Sequence, residues 1–229
     1  MSKLKAVFLD AGNTILHLDF PFIAEVLSGY GVSPSLETLE RSEAVARAEV
    51  DRAHVVGTTT DYARWFYYFR LIMSHAGLTS EFDIADAYKK LEARHSVKNL
   101  WCRVPPEVPA VLAELRSKYT IGVVSNADGR IKDLLALVGL LDYFSFVVDS
   151  GQVGVEKPDP RIFQHALAAA SAEPDEVVHV GDLVCVDVAG AEASGIRAVL
   201  IDPFDHHTDA LCARIRNIGE LPAAIARLA

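Results

Sequence analysis

Several short apolar runs in this 229-residue chain stop at residues that could do chemistry. Leu4-Lys5-Ala6-Val7-Phe8-Leu9 ends at Asp10, which is followed by Ala11-Gly12-Asn13-Thr14. Thr120-Ile121-Gly122-Val123-Val124 ends at Ser125-Asn126, and Val177-Val178-His179-Val180 ends at Gly181-Asp182, with Asp187 close behind. Lys157 stands between these in Val155-Glu156-Lys157-Pro158-Asp159-Pro160. Carboxylates of this kind suit two tasks. They supply oxygen ligands to a hard cation such as Mg²⁺, and a carboxylate can attack a phosphate ester in line when a metal and fixed cations offset the repulsion between anions. A lysine beside such a carboxylate favours its ionised form. Each residue also has an ordinary use: aspartate caps helices, and serine and asparagine end strands in turns.

The elements that must hold these residues alternate in type. A fourth apolar run, Ala198-Val199-Leu200-Ile201, ends at Asp202-Pro203, and helical patterns fall between the runs at 106–118, 130–138, 160–170 and 186–194. Short buried strands alternating with helices predict a parallel sheet covered on both faces. Such sheets bind ligands beyond the carboxyl ends of their strands, which is where the polar residues fall. Residues 17–98 break the rhythm. Amphipathic patterns at about 20–30, 34–55, 62–76 and 81–95 predict a small helical insertion, with Ser33-Pro34 as a helix start and Gly29, Gly31 and Gly77 as helix stops. A closing amphipathic helix is expected over 217–229.

Asp10 to Thr14, Ser125-Asn126, Lys157-Pro158 and Gly181-Asp182 with Asp187 occur in the order, and at the element ends, that resemble the four motifs of the haloacid dehalogenase-like hydrolase superfamily, in its subfamily I with a helical C1-type cap. One such motif is commonplace; four in order are not, and the likeness runs the whole chain. The resemblance implies an α/β fold: a Rossmann-like parallel sheet core in three α/β/α layers, residues 1–16 and 99–229, with a small all-helical cap, residues 17–98, inserted after the first strand. It also implies a Mg²⁺-dependent phosphatase-type hydrolase of a small phosphorylated metabolite, working through an aspartyl-phosphate. Asp10 would be the nucleophile. Asp10, Asp182 and the Gly12 carbonyl would hold Mg²⁺, with Asp187 completing the metal group from behind by orienting waters or Asp182. Lys157 would reach Asp10 and the phosphate, Ser125 and the Asn126 backbone N–H would hold phosphate oxygens, and Thr14 would help fix the turn after the nucleophile.

Two positions depart from the pattern. Most phosphatases of the superfamily carry a second aspartate two residues after the nucleophile to protonate the leaving alcohol; here that residue is Gly12. The proton must come from elsewhere, with His17, His54 and His95 as candidates, or the leaving group must need none, as in an acyl phosphate. Asn13 replaces the usual glycine, and asparagine tolerates the left-handed backbone expected there. Phosphonate cleavage resembles chemistry on a cap lysine, and no lysine lies between Lys5 and Lys89. A 2-haloacid dehalogenase would use Asp10 without metal and Arg41 on the substrate carboxylate, but Gly181-Asp182 argues for metal and phosphate. A catalytically weak binding or regulatory protein on the same fold is the remaining alternative. Trp65, Phe66, Tyr67, Tyr68 and Phe69, with Tyr62, form an aromatic cluster that either lines a pocket or packs the cap's own core, and Arg64 and Arg70 flank it.

The charge balance of −9, without any basic run, argues against nucleic acid as a partner. The first apolar run is too short for a signal or a span, so a cytoplasmic protein with no membrane partner is expected. Cys102, Cys185 and Cys212 have no ligand or disulfide spacing and read as reduced thiols. Monomer and homodimer are both left open.

Overall fold

The computed structural model of the chain describes residues 3–52 and 61–228. It divides into two compact units, one formed by Met1–His17 with Arg103–Ala229 and the other by Leu18–Cys102. A two-stranded ladder of β2 (His17–Leu18) with β3 (Trp101–Arg103) accompanies the two crossings of the chain.

The first unit is built on a six-stranded sheet. β1 (Ala6–Leu9) lies between β4 (Thr120–Ser125) and β6 (Val177–Gly181); β5 (Phe146–Asp149) flanks β4, and β7 (Arg197–Ile201) and β8 (Ala213–Ile215) continue beyond β6, giving the order β5-β4-β1-β6-β7-β8. Every pairing is parallel. Among the helices that flank it are α5 (Val108–Arg116), α6 (Ile131–Leu137), α8 (Pro160–Ala170), α9 (Ala189–Ala193) and α10 (Leu221–Leu228), with a single turn, α7 (Ser150–Val153), after β5. All four residues of β1 are fully buried, as a strand covered on both faces requires. Phe8 and Ala6 pack into one cluster with Val124, Ile162, Phe163 and Ala166, where each large side chain removed from water contributes roughly 1.5–3 kcal/mol. Phe8 meets Phe146 edge to face with ring centroids 5.5 Å apart. The Phe146 ring occupies the space above Gly122, where a Cβ would come within 2.2 Å of it.

Four strands exceed the expectation from sequence: the short β2 and β3 of the two-stranded ladder, and β5 and β8 within the six-stranded sheet. β5 carries the short apolar run Phe146-Val147-Val148, and β8 is only three residues long, so neither has the length that sets a strand apart from a loop. The last helix is shorter than expected, since residues Ile218–Glu220 form a 3₁₀ turn before α10.

The second unit comprises α1 (Phe20–Ser28), α2 (Leu36–Val50), α3 (Asp61–His75) and α4 (Glu81–Val97). The start of α2 is corrected by two residues: Ser35, not Ser33, is the N-cap, its hydroxyl accepting from the Thr38 N–H at 3.0 Å. Gly31 and Gly77 follow α1 and α3 with positive φ, as the helix stops require. The core of this unit holds Leu27, Leu39, Phe69, Ile72, Met73 and Leu91, all fully buried. Among the described residues no helix is long and apolar enough to cross a membrane.

Candidate active site

Strand register brings the first cluster together. Leu9 pairs with Val123 on one side and Val180 on the other, so Asp10 emerges between the ends of β4 and β6, and its N–H donates to the Val180 carbonyl at 2.8 Å. Ser125 ends β4, and Asp182 follows the last residue of β6, so all three face the carboxyl edge of the sheet. The chain then turns sharply: the Ile15 and Leu16 N–H groups donate to the Ala11 carbonyl at 3.0 and 2.9 Å, and the Asn13 N–H to the Leu16 carbonyl at 2.7 Å. Asn13 has φ +52°, the left-handed conformation expected of it. Its Nδ2 donates to Asp182 Oδ2 at 3.3 Å, tying the turn to the end of β6. Thr14 Oγ1 is buried with no hydrogen-bond partner among the described residues, and backbone bonds hold the turn.

Asp10 is buried. Its Oδ1 accepts from Lys157 Nζ at 2.6 Å and from Ser125 Oγ at 3.1 Å, while Oδ2 accepts from no described residue. Lys157, 2% exposed, reaches it from the loop after α7 and also donates to Asp187 Oδ1 at 2.6 Å. Asn126 holds this loop with its side chain, accepting the Lys157 N–H on Oδ1 at 2.7 Å and donating from Nδ2 to the Lys157 carbonyl at 2.9 Å. Motif-two asparagine thus positions the lysine, a side-chain role that reading Asn126 for its backbone N–H alone had missed.

Asp187 sits in a π-helical turn, Val184–Val188, of the kind that recurs at functional sites. Both of its oxygens are engaged: Oδ1 by Lys157 and by His179 Nε2 at 3.0 Å, Oδ2 by the N–H groups of Asp182 at 3.2 Å and Leu183 at 3.1 Å. Four donors hold it in place, one of them the N–H of Asp182, the residue that the resemblance has it orient. Gly181 makes the approach possible, since a Cβ there would lie 2.1 Å from Asp187 Cγ. His179 is the residue that sequence reasoning passed over. It sits inside an apolar run, and only its neighbour in space, eight positions on, distinguishes it from an ordinary strand residue.

The electrostatics follow from burial. Loss of solvent pushes the Asp10 carboxyl above its ordinary value, and nearby Asp187 adds to the rise, against the opposing pull of Lys157. Burial works against the Lys157 ammonium, but Asp10 and Asp187 outweigh it and raise its proton affinity. Burial likewise opposes ionisation of Asp187, yet Lys157 and the His179 hydrogen bond hold its carboxyl well below the usual range. Asp10, Asp182 and Asp187 are all buried, and among the described residues Asp10 and Asp187 share one ammonium, that of Lys157. A divalent cation with oxygen ligands fits such a group of carboxylates. Among the described residues no group of three or more His, Cys, Asp and Glu is disposed as a ready ligand cage. Two carboxylates, a carbonyl and water are what Mg²⁺ ordinarily takes.

The remaining candidates sit on other elements of the chain. His95 belongs to the second unit's core: Nδ1 accepts the Leu100 N–H at 3.3 Å, and the ring meets Trp65 at 4.6 Å. His17 is exposed in β2, and His54 lies outside the described residues. Arg41 pairs with Glu37 four residues back on an exposed face of α2, and Arg70 forms a two-pronged pair with Glu81. Arg64 stands half-buried in α3. The aromatic cluster packs its own unit: Trp65 contacts Phe69, Tyr88 and Trp101, and the Tyr68 hydroxyl donates to buried Glu43 at 2.7 Å. The Tyr62 side chain is outside the described residues. Cys102, Cys185 and Cys212 are free thiols.

The sequence profile of haloacid dehalogenase-like hydrolases matches residues 4–195, which include every residue of this cluster. The chain belongs to that family. A phosphoserine phosphatase of Thermus thermophilus is 30% identical to this hydrolase over 95% of the chain and 96% of its own length. The haloacid dehalogenase-like hydrolase domain-containing protein 3 of Mus musculus is 44% identical over a shorter stretch, 37% of the chain, which spans only 35% of the mouse protein. Among solved structures, a HAD phosphatase from Thermococcus onnurineus aligns at 29% identity with a TM-score of 0.61 over 97% of the chain and 98% of its own. A 2-haloacid dehalogenase from Pseudomonas syringae aligns at 27% and 0.60 over 99% and 100%.

Proposed function

We propose that this hydrolase is a Mg²⁺-dependent phosphatase of a small phosphorylated metabolite, with Asp10 as nucleophile. The observation that carries the reading is the state of Asp10: one oxygen is held by Lys157 and Ser125 while the other has no partner among the described residues, the arrangement of a carboxylate fixed in place and left able to react. Asp10 would attack phosphorus as the ester P–O bond breaks and its electron pair leaves with the departing oxygen. Water would then attack the aspartyl-phosphate, releasing phosphate and restoring Asp10. Lys157 spends two N–H groups on Asp10 and Asp187, leaving the third for a phosphate oxygen. Asp10, Asp182 and the Gly12 carbonyl would hold Mg²⁺, which supplies charge neutralisation for phosphate and nucleophile together. The phosphatase relatives support this class of reaction.

The dehalogenase neighbour of similar likeness supports a second reading, attack of Asp10 on carbon. Arg41 favours it little, because its guanidinium is paired with Glu37 on an exposed face. The two readings part in one assay. Purified protein is offered p-nitrophenyl phosphate, acyl phosphates, phosphorylated metabolites including phosphoserine, and 2-haloacids, with Mg²⁺ or with chelator. Phosphate release that needs Mg²⁺ and falls at least about 10³-fold in Asp10→Asn is expected. Halide release indifferent to chelator would replace the phosphatase reading, and no turnover of any substrate would favour a binding protein.

A further inference from the structure

His179 has no part in the reaction as proposed, yet it is fully buried and hydrogen-bonded to the hub of the cluster. Its Nε2 lies 3.0 Å from Asp187 Oδ1, the oxygen that also receives Lys157. Its Nδ1 is buried with no hydrogen-bond partner among the described residues. The ring stands edge-on to Phe163 at 4.9 Å between centroids, so its orientation is set by packing within the sheet and α8.

These contacts fix the tautomer. Asp187 receives two backbone N–H groups and an ammonium, as a carboxylate does, so the group facing it from His179 must donate, and the ring is Nε2–H with a bare Nδ1. An imidazolium would bury a second N–H with nothing to receive it, and burial opposes that charge. The neutral donor occupies a lone pair of Asp187 without competing for Asp10, and so limits how strongly Asp187 draws the Lys157 ammonium away from the nucleophile.

We infer that His179 is a positioning residue: as a neutral Nε2–H donor it fixes Asp187, and through Asp187 both the Lys157 ammonium against Asp10 and the backbone that carries Asp182. This deepens the phosphatase reading and rests on it only for its kinetic consequence. His179 stands two hydrogen bonds from Lys157, and outer partners that hold site residues in place commonly change activity 10–100-fold when lost.

The test has two arms. In the first, nitrogen-15 NMR of histidine in the metal-free protein near neutral pH reports the state of His179 without any turnover; a proton on Nε2 and none on Nδ1 is expected, and an Nδ1–H tautomer or an imidazolium overturns the inference. In the second, His179→Leu and His179→Gln are compared on p-nitrophenyl phosphate with Mg²⁺. Glutamine places an amide N–H near the position of Nε2; leucine keeps the packing and has no donor. His179→Leu is expected to lose about 10–100-fold in kcat/KM and His179→Gln to recover most of it, with melting temperatures of the two variants alike. Equal losses in both would assign His179 to packing and overturn the inference. Wild-type protein that turns over no phosphate ester would refute the proposed function, while the NMR arm would still decide the role of His179.

Discussion

The side chain of Asn126 grips the peptide groups on both sides of Lys157, accepting its N–H at 2.7 Å and donating to its carbonyl at 2.9 Å. The second motif thereby sets the position of the third. Asn126→Ala leaves a part-buried N–H and C=O unpaired, a cost of about 1–3 kcal/mol. Activity on p-nitrophenyl phosphate is expected to fall at least about 10-fold as Lys157 loses its register with Asp10, since a small misplacement of a fixed charge is expensive. A variant with wild-type kcat/KM would show that Lys157 is held by other means.

Gly181 and Gly122 test steric room at two places with different consequences. Alanine at 181 drives a methyl into Asp187, whereas alanine at 122 drives one into the Phe146 ring. Both should destabilise by about 1–3 kcal/mol, as overpacking does. Only Gly181→Ala is expected to lose turnover beyond its loss of folded protein, read by comparing kcat with the folded fraction from circular dichroism.

Gly12 cannot give a proton. Gly12→Asp is expected to speed hydrolysis of alkyl phosphates, whose leaving alcohols need protonation, by at least about 10-fold, and to leave p-nitrophenyl phosphate, whose phenolate departs unaided, nearly unchanged. A uniform change across leaving groups of different pKa would mean that the proton already comes from another residue.

Asp202 ends β7 as Asp10 ends β1, but it serves its own loop. Its oxygens accept the His206 N–H at 2.9 Å, the His207 N–H at 3.0 Å and Arg214 Nη1 at 2.9 Å. Burial works to raise its carboxyl, and these bonds outweigh it and hold the value below the usual range. A carboxyl whose folded value is depressed stabilises fully above its unfolded value, about 3.9, and that stabilisation fades as pH falls through the lower folded value. Asp202→Asn is therefore expected to melt lower than wild type at pH 7, by about 2–4 °C for each kcal/mol lost, with the gap narrowing as pH falls below 4. A gap that widens in acid would contradict the assignment.

Much of this protein is legible in the residues alone. Hydrophobic runs of strand length ending in Asp10, Ser125 and Asp182 specify both a parallel sheet and the edge at which its polar residues gather, because a strand buried on both faces has no polar residue until it ends. Local chemistry is equally readable: Asn13 in the left-handed region and glycine after α1 and α3 follow from backbone sterics within a few residues. The short strands β5 and β8 and the start of α2 at Ser35 are not, since three or four residues carry too little pattern to fix an element.

Partnerships across the chain were decided only by the tertiary structure. His179 looks like one more buried strand residue until the π turn carries Asp187 back over Gly181 to meet it. Asn126 reads as a turn residue until the Lys157 loop folds onto its amide, and the aromatic run of α3, which reads more readily as core than as pocket, is seen to pack only when Trp65 and Tyr68 find Trp101. Pattern along a chain records which face of an element is buried, whereas a contact between separate elements depends on distances that only the packed sheet and its loops determine.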